Sequence, residues 1–244
     1  MLDRPTTLGL SSITNIPRIM RAKGWADGAQ LMDKWFAGPP AAKPAYTTPD
    51  LATIKMDAWT LTFPRAKTVF DAMVKDKVWS NDKAKPLLAT RLRAQGMLGT
   101  LTKRFDFSTK SVPDQHALHT NFRQVEFGLL DSLDDMEAAL ANFSFYAVPL
   151  VGEVGPEAGR FRVRLSKVGI HIMDSYDFEG DQDLGYWDEA TNNVSSGWFG
   201  SGDGVKVTNE TFRNWRTANS KGGDFLVYSD VKVLTLNPPE SFLV

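Results

Sequence analysis

The hydrophobic pattern of this chain changes its dominant period near residue 142. Before that point apolar residues recur at helical spacing; after it they alternate, the period of a strand with one face buried. Leu31 and Trp35, and Met32 and Phe36, lie four apart and predict a helix over 26–36, stopped by Gly38-Pro39-Pro40. Asn15 ahead of Ile16-Pro17 reads as an N-cap with proline in the first turn. Pro64 opens a third helix with Val69, Phe70, Met73 and Val74 as its apolar stripe. Ser80-Asn81-Asp82 caps a fourth, with Leu87, Leu88 and Leu92 inward and Gly96 as its stop. Residues 41–49 read as a linker or long surface loop, 103–108 as a strand, and 113–127 fits neither period. Ser132 is expected to cap a short helix that buries Leu133, Met136 and Leu140.

Past residue 142, Phe143, Phe145 and Ala147 alternate, as do Phe161, Val163 and Leu165. Val168, Ile170 and Ile172 continue one residue out of phase, which predicts a β-bulge or a break between strands near Lys167. Short strands are expected over 184–187, 197–199 and 204–207. Asn209 reads as the cap of a helix to Asn219, with Phe212 and Trp215 inward and Gly222-Gly223 as its end. A last strand over 224–236 is followed by Pro238-Pro239, which close the fold. Short connections favour antiparallel pairing. Helices first and strands later predict an α+β fold, with a helical N-terminal part (1–142) packed on a C-terminal antiparallel β-sheet (143–244) in one domain.

Composition removes several function classes. The chain has 244 residues and no cysteine, which excludes disulfides, thiolate nucleophiles and thiolate zinc sites. No stretch approaches the roughly 18 consecutive apolar residues of a membrane helix, so no membrane span is expected. Met1 to Leu10 lack a signal-peptide layout. The protein is therefore expected to be made in the cytoplasm and, if exported, to leave by a route that reads no cleaved signal. Residues 1–130 carry 19 Lys/Arg against 11 Asp/Glu, and residues 131–244 carry 9 against 18. That split fits two surfaces for two partners, or two halves that attract each other. The basic residues are interspersed with acids and form no stripe with interleaved aromatics, so no nucleic-acid partner is expected.

The segment from His171 to Glu189 holds seven carboxylates, and no Lys or Arg occurs between Lys167 and Lys206. Converging carboxylates raise one another's pKa and can act as an acid/base pair or bind a hard cation. Asp, Glu and Gly are equally the residues of an exposed turn. The calcium-loop pattern fails, because Gly180 precedes Asp181 where the glycine should follow the third ligand. Three readings follow: a structural turn, a divalent-cation site at Asp177 and Asp181, or a catalytic acid cluster. The three histidines, His116, His119 and His171, lack zinc-helix spacing. Neither a nucleophile elbow nor a phosphate-binding loop occurs. Arg213 and Arg216 share a helix face and could bind an anion, pair with the acidic turn or simply face solvent. Among seven tryptophans, Trp187 and Trp198 flank polar turns and could form a binding surface.

Several segments resemble an uncharacterised proteobacterial domain-of-unknown-function family commonly encoded near type VI secretion genes. These are Val168-Gly-Ile-His-Ile-Met-Asp174-Ser-Tyr176-Asp177 through Trp187, Asn209-x-x-Phe212-Arg213-x-Trp215-Arg216, and Gly222-Gly223-Asp224-Phe225. In the front half, Gly24-Trp25, Met32-x-x-Trp35-Phe36-x-Gly38, Met56-Asp57-Ala-Trp59 and Arg65-Ala66 extend the resemblance over nearly the whole chain. It implies a secretion setting and no particular activity. Locally, Asp174-x-Tyr176-Asp177 resembles the Asp-x-Tyr-Asp of the colicin M type bacteriocins, which cleave the lipid II peptidoglycan precursor. Asp183-Leu184 stand where that family has His-Arg.

Two functions follow as expectations. The first is a type VI secretion-associated antibacterial effector acting on the cell envelope. Asp174 or Asp177 would be its base or metal ligand, Tyr176 a hydrogen-bond donor, Arg213 or Arg216 the anion-binding partner, Trp187 a binding residue and a divalent cation its cofactor. The second is a non-enzymatic interaction protein, an effector carrier, adaptor or immunity partner. In either, the partner is a secretion component or a cognate effector or immunity protein.

Overall fold

Two interleaved units organise the chain in the computed structural model, which describes residues 9–128, 133–195 and 204–244. The first unit comprises 1–53, 127–142 and 175–227; the second comprises 54–126, 143–174 and 228–244. In chain order the elements are α1 (Ile16–Ala22), α2 (Ala26–Ala37), β1 (Thr47–Asp50), α3 (Pro64–Lys75), α4 (Ala84–Ala94), β2 (Lys103–Asp106), α5 (Val112–His116) and β3 (Asn121–Val125). Then come α6 (Asp135–Leu140), β4 (Phe143–Glu157), β5 (Arg160–Tyr176), β6 (Asp183–Asp188), β7 (Asn193–Ser195), β8 (Val205–Thr208), α7 (Asn209–Asn219), β9 (Phe225–Tyr228) and β10 (Lys232–Leu243). Helices fall mostly in the N-terminal half and strands in the C-terminal half, so the fold is α+β. The units cut across the sequence halves and also differ in charge: the first carries 10 Lys/Arg against 17 Asp/Glu, the second 18 against 12.

The second unit is built on the antiparallel pair β4–β5. Ala158 and Gly159, both at positive φ, close its turn. β2 and β3 both pair with β4, at 151–154 and 143–147, and β10 pairs with β5, all antiparallel. The phase shift in the sequence is a bulge: Pro149 pairs with Val168, Val151 with Lys167 and Gly152 with Leu165, which leaves Leu150 and Ser166 without partners in the ladder. The extra residue on each strand keeps Val163 and Leu165 on one side of the bulge, and Val168, Ile170 and Ile172 on the other, fully buried. Helix α3 contributes Phe70 to the core, edge-on to Phe145 at 6.0 Å.

In the first unit α2 buries Ala29, Leu31, Met32 and Trp35. Its N-terminal turn lies close to α6, and a Cβ added at Gly28 would sit 3.0 Å from the Ala138 Cβ. The strands make a parallel β1–β9 pair, in which Thr47 faces Phe225, and an antiparallel β7–β6–β8 sheet. Trp35 meets Phe178 at 4.9 Å and Phe212 at 5.4 Å, so α2, α7 and the segment after β5 share one aromatic core.

Several sequence expectations are corrected. Residues 41–49 contain the start of β1, whose partner Phe225 is far away in sequence. Helix α7 is capped by Thr208 in a capping box with Thr211, not by Asn209, because the side chain one residue earlier reaches the Thr211 N–H. Asn15 precedes α1, but its side chain donates to Ser11 and Glu189 instead of capping. The expected strand over 224–236 is two strands, β9 and β10, and β10 continues through Pro238-Pro239 to Leu243. Asp134 caps α6 by accepting from the Glu137 N–H. The expected cap Ser132, the strand over 197–199 and Trp198 lie outside the described residues.

Candidate functional site

The acidic segment of the first unit begins where β5 ends. Asp177 Oδ1 accepts from the Glu179 N–H at 3.1 Å, the local bond of an Asx turn. Its Oδ2 accepts from Ser175 Oγ at 2.5 Å and faces Lys43 Nζ at 3.4 Å. The Tyr46 hydroxyl lies 3.0 Å from the same Ser175 Oγ. Helix α7 then holds the turn from one side. Arg213 donates to the carbonyls of Phe178 at 2.8 Å and Gly180 at 2.5 Å, and Asn209 Nδ2 donates to the Glu179 carbonyl at 2.6 Å. Three consecutive carbonyls are thus satisfied by one helix face.

Tyr176 is buried against Phe225, with ring centroids 5.2 Å apart, and its hydroxyl donates to Met32 Sδ at 3.6 Å. Burial pushes its pKa far above that of a free phenol, so it stays protonated. Asp181 projects into solvent 3.6 Å from Arg213. Asp174 falls in the second unit, where its charge adds to burial in raising the Tyr146 pKa. Trp187 is 5% exposed and donates from Nε1 to the Leu184 carbonyl at 2.9 Å, which makes it a core residue of β6.

Arg216 is the clearest departure from a solvated helix face. It is buried, pairs with Asp224 and lies 5.2 Å over the Trp35 ring. Asp224, fully buried, also accepts from Trp35 Nε1 at 2.8 Å and from the Lys43 N–H at 3.0 Å. Burial pushes the Asp224 pKa up, against the opposing pull of these donors and of Arg216. Among the described residues no group of three or more His, Asp or Glu side chains is placed to hold a metal ion, Asp177 and Asp181 included.

The second unit holds a cluster that spacing did not reveal. All three histidines meet there. His116 Nδ1 lies 3.1 Å from His171 Nε2, and His119 Nδ1 donates to the His116 carbonyl at 2.6 Å. His116 and His119 stack at 4.8 Å, and Tyr146 meets them edge-on at 4.5 and 5.0 Å. Tyr228 lies 5.7 Å from His116. His171 is fully buried; burial, then the neighbouring imidazoles, push its pKa down to about 3. His116 is lowered to about 4 by burial, His119 and Arg91. The available signal was the close pair His116-x-x-His119 in the stretch of undefined period. Its partner, His171, arrives from 55 residues away.

Fold and sites together define an α+β protein in which Asp177, Asp224, Arg213 and Arg216 are bonded into the frame. The chain belongs to the Family of unknown function (DUF6402), whose pattern matches residues 11–197 and 192–244. No curated protein and no solved structure matches it.

Proposed function

We propose that this chain is a non-enzymatic interaction protein of a type VI secretion system, serving as an effector carrier, adaptor or immunity partner. The secretion setting rests on the resemblance of its sequence. The non-enzymatic reading rests on one observation: Arg213, the arginine best placed to clamp an anion beside the acidic turn, already donates to the Phe178 and Gly180 carbonyls. A phosphate ester in that place would have to compete with bonds that hold the turn. Its companions are equally engaged, Arg216 with Asp224 and Tyr176 within the core.

The test is growth of a bacterial host expressing the chain in the cytoplasm or directed to the periplasm, with co-purification against the products of the genes adjacent to its own. The interaction reading expects normal growth in both compartments and a stoichiometric complex with one of those products. Killing in either compartment that a folded Asp177→Asn variant abolishes would sink it in favour of an effector.

A further inference from the structure

Away from the acidic turn and the histidine cluster, the first unit holds a cavity of about 610 Å³ where the end of α1 meets the β6–β7 hairpin. Ala22, Lys23, Asp188, Thr191, Asn192 and Asn193 line it. Local bonds set the hairpin wall. Asp188 faces Asn193 across the ladder, which leaves Glu189 to Asn192 as the loop. Asp188 Oδ1 accepts from the Ala190 N–H at 3.0 Å, and its Oδ2 accepts from the Thr191 hydroxyl at 2.6 Å. Asn192 takes a left-handed conformation, φ 51°, which asparagine adopts more readily than most side chains. The segment leading into α1 then fixes the loop. Glu189 accepts from the Ser11 N–H at 3.0 Å and from Asn15 Nδ2 at 3.0 Å, and Arg18 donates to Asn192 Oδ1 at 2.8 Å.

The polar groups of this lining are only partly used. Arg18 takes the Asn192 Oδ1, and Lys23 Nζ takes the Asn193 Oδ1 at 3.2 Å. Each amide therefore keeps its Nδ2 donors unpartnered among the described residues. The Thr191 hydroxyl gives its proton to Asp188 and retains lone pairs. Lys23 and Asp188 carry the two charges of the lining. Among the described residues neither has a partner of opposite charge, and they do not pair with each other. The nearby Arg18 and Glu189, 3.5 Å apart, balance one another.

We propose that this cavity binds a free α-amino acid in its zwitterionic form. The ligand carboxylate meets the Lys23 ammonium and the Nδ2 donors of Asn192 and Asn193. The ligand ammonium meets the Asp188 carboxylate and the Thr191 lone pairs. One small molecule then supplies the counter-charge that each of the two groups lacks. A simple anion would satisfy Lys23 and be repelled by Asp188, and a simple cation the reverse. A sugar would leave both charges without a counter-charge, and among the described residues the lining has no aromatic face for its ring. Ala22 is the one apolar side chain of the wall, so the site reads the two charged groups of the ligand and not its side chain. The proposal does not rest on the interaction reading.

Side-chain amide NMR of the full chain is a direct test. Near neutral pH, L-alanine is expected to shift the Asn192 and Asn193 Nδ2 signals saturably, with a Kd on the order of 1 mM for so small a ligand. Propionate and ethylammonium each carry one of its two charges and should bind about tenfold more weakly at equal ionic strength. Lys23→Met should weaken alanine binding about tenfold and erase its advantage over ethylammonium. Asp188→Asn keeps an acceptor for the turn and should erase the advantage over propionate. If Asp188→Asn does not fold, Lys23→Met decides alone, because Lys23 is exposed and its loss leaves the turn bonds intact. No saturable shift, propionate, ethylammonium or glucose binding as tightly as alanine, or a folded Lys23→Met variant that binds alanine unchanged would each overturn the proposal.

Discussion

Acidification should loosen the second unit through one residue, His171. Its imidazole is fully buried, and among the described residues its one polar partner is the His116 ring. In the folded chain its pKa falls to about 3 from an ordinary value of 6.5, burial being the main cause. Below 6.5 the unfolded chain takes up a proton that the folded chain refuses, so stability falls as pH falls. The loss begins near 6.5 and is complete only below about 3. Linkage gives about 2 kcal/mol lost by pH 5 and about 5 kcal/mol in full. His116 shifts in the same direction to about 4. Because it is half-buried, solvent screening reduces its share to about 1 kcal/mol or less at pH 5. The assay is urea unfolding at pH 7.5 and pH 5, followed by the fluorescence of Trp59 and Trp79, the two tryptophans of this unit. His171→Gln can still donate to His116 and cannot titrate. It should lose about 2 kcal/mol less than the wild type between the two pH values, whatever its absolute stability. Equal losses in both proteins would refute the assignment of the acid sensitivity to His171.

Two further outcomes concern the first unit. Arg216→Met leaves the buried Asp224 without its cation and should cost about 3–5 kcal/mol in urea unfolding, with part of that recovered when Asp224→Asn is added. Asp27 is raised to about 6 by burial and by the neighbouring Asp135 charge. The folded chain therefore holds a proton that the unfolded chain gives up, and the pair loses stability as pH rises from about 4 through 6. Asp27→Asn should accordingly raise the unfolding midpoint near pH 8 and leave it unchanged near pH 4.

What was legible in the sequence was mostly local. Helices α2, α3 and α4 announce themselves because their apolar spacing, prolines and glycine stops are all within one segment. The bulge opposite Lys167 was visible because a one-residue slip reverses which side chains face the core. Strand β1 was missed because its stability comes from a parallel partner over 170 residues later, and Thr-Thr-Pro-Asp carries no alternation of its own. Arg216 looked like a solvated partner of Arg213 because its counter-charge, Asp224, comes from beyond the helix. Gly222 and Gly223 turn the chain back so that Asp224 reaches it. A Cβ at Gly222 would lie 2.5 Å from the Trp35 ring, so the closeness of that return depends on a missing side chain. The acidic segment attracted attention by composition, and composition says nothing of whether Arg213 is free or engaged.

The chain crosses between its two units five times, at 53/54, 126/127, 142/143, 174/175 and 227/228. Neither unit is therefore a stretch that can be cloned out, and a cut at any of these junctions deprives both of parts they need. On the ribosome the first unit waits for β9 and the second for β10, so nearly all of this sequence must be outside the exit tunnel before either can finish. Until then the β4–β5 hairpin has one flank uncovered, an exposed edge open to mispairing. A split-protein reporter or an internal tag will be tolerated best at Gly159, in the turn within the hairpin, where the chain stays inside one unit.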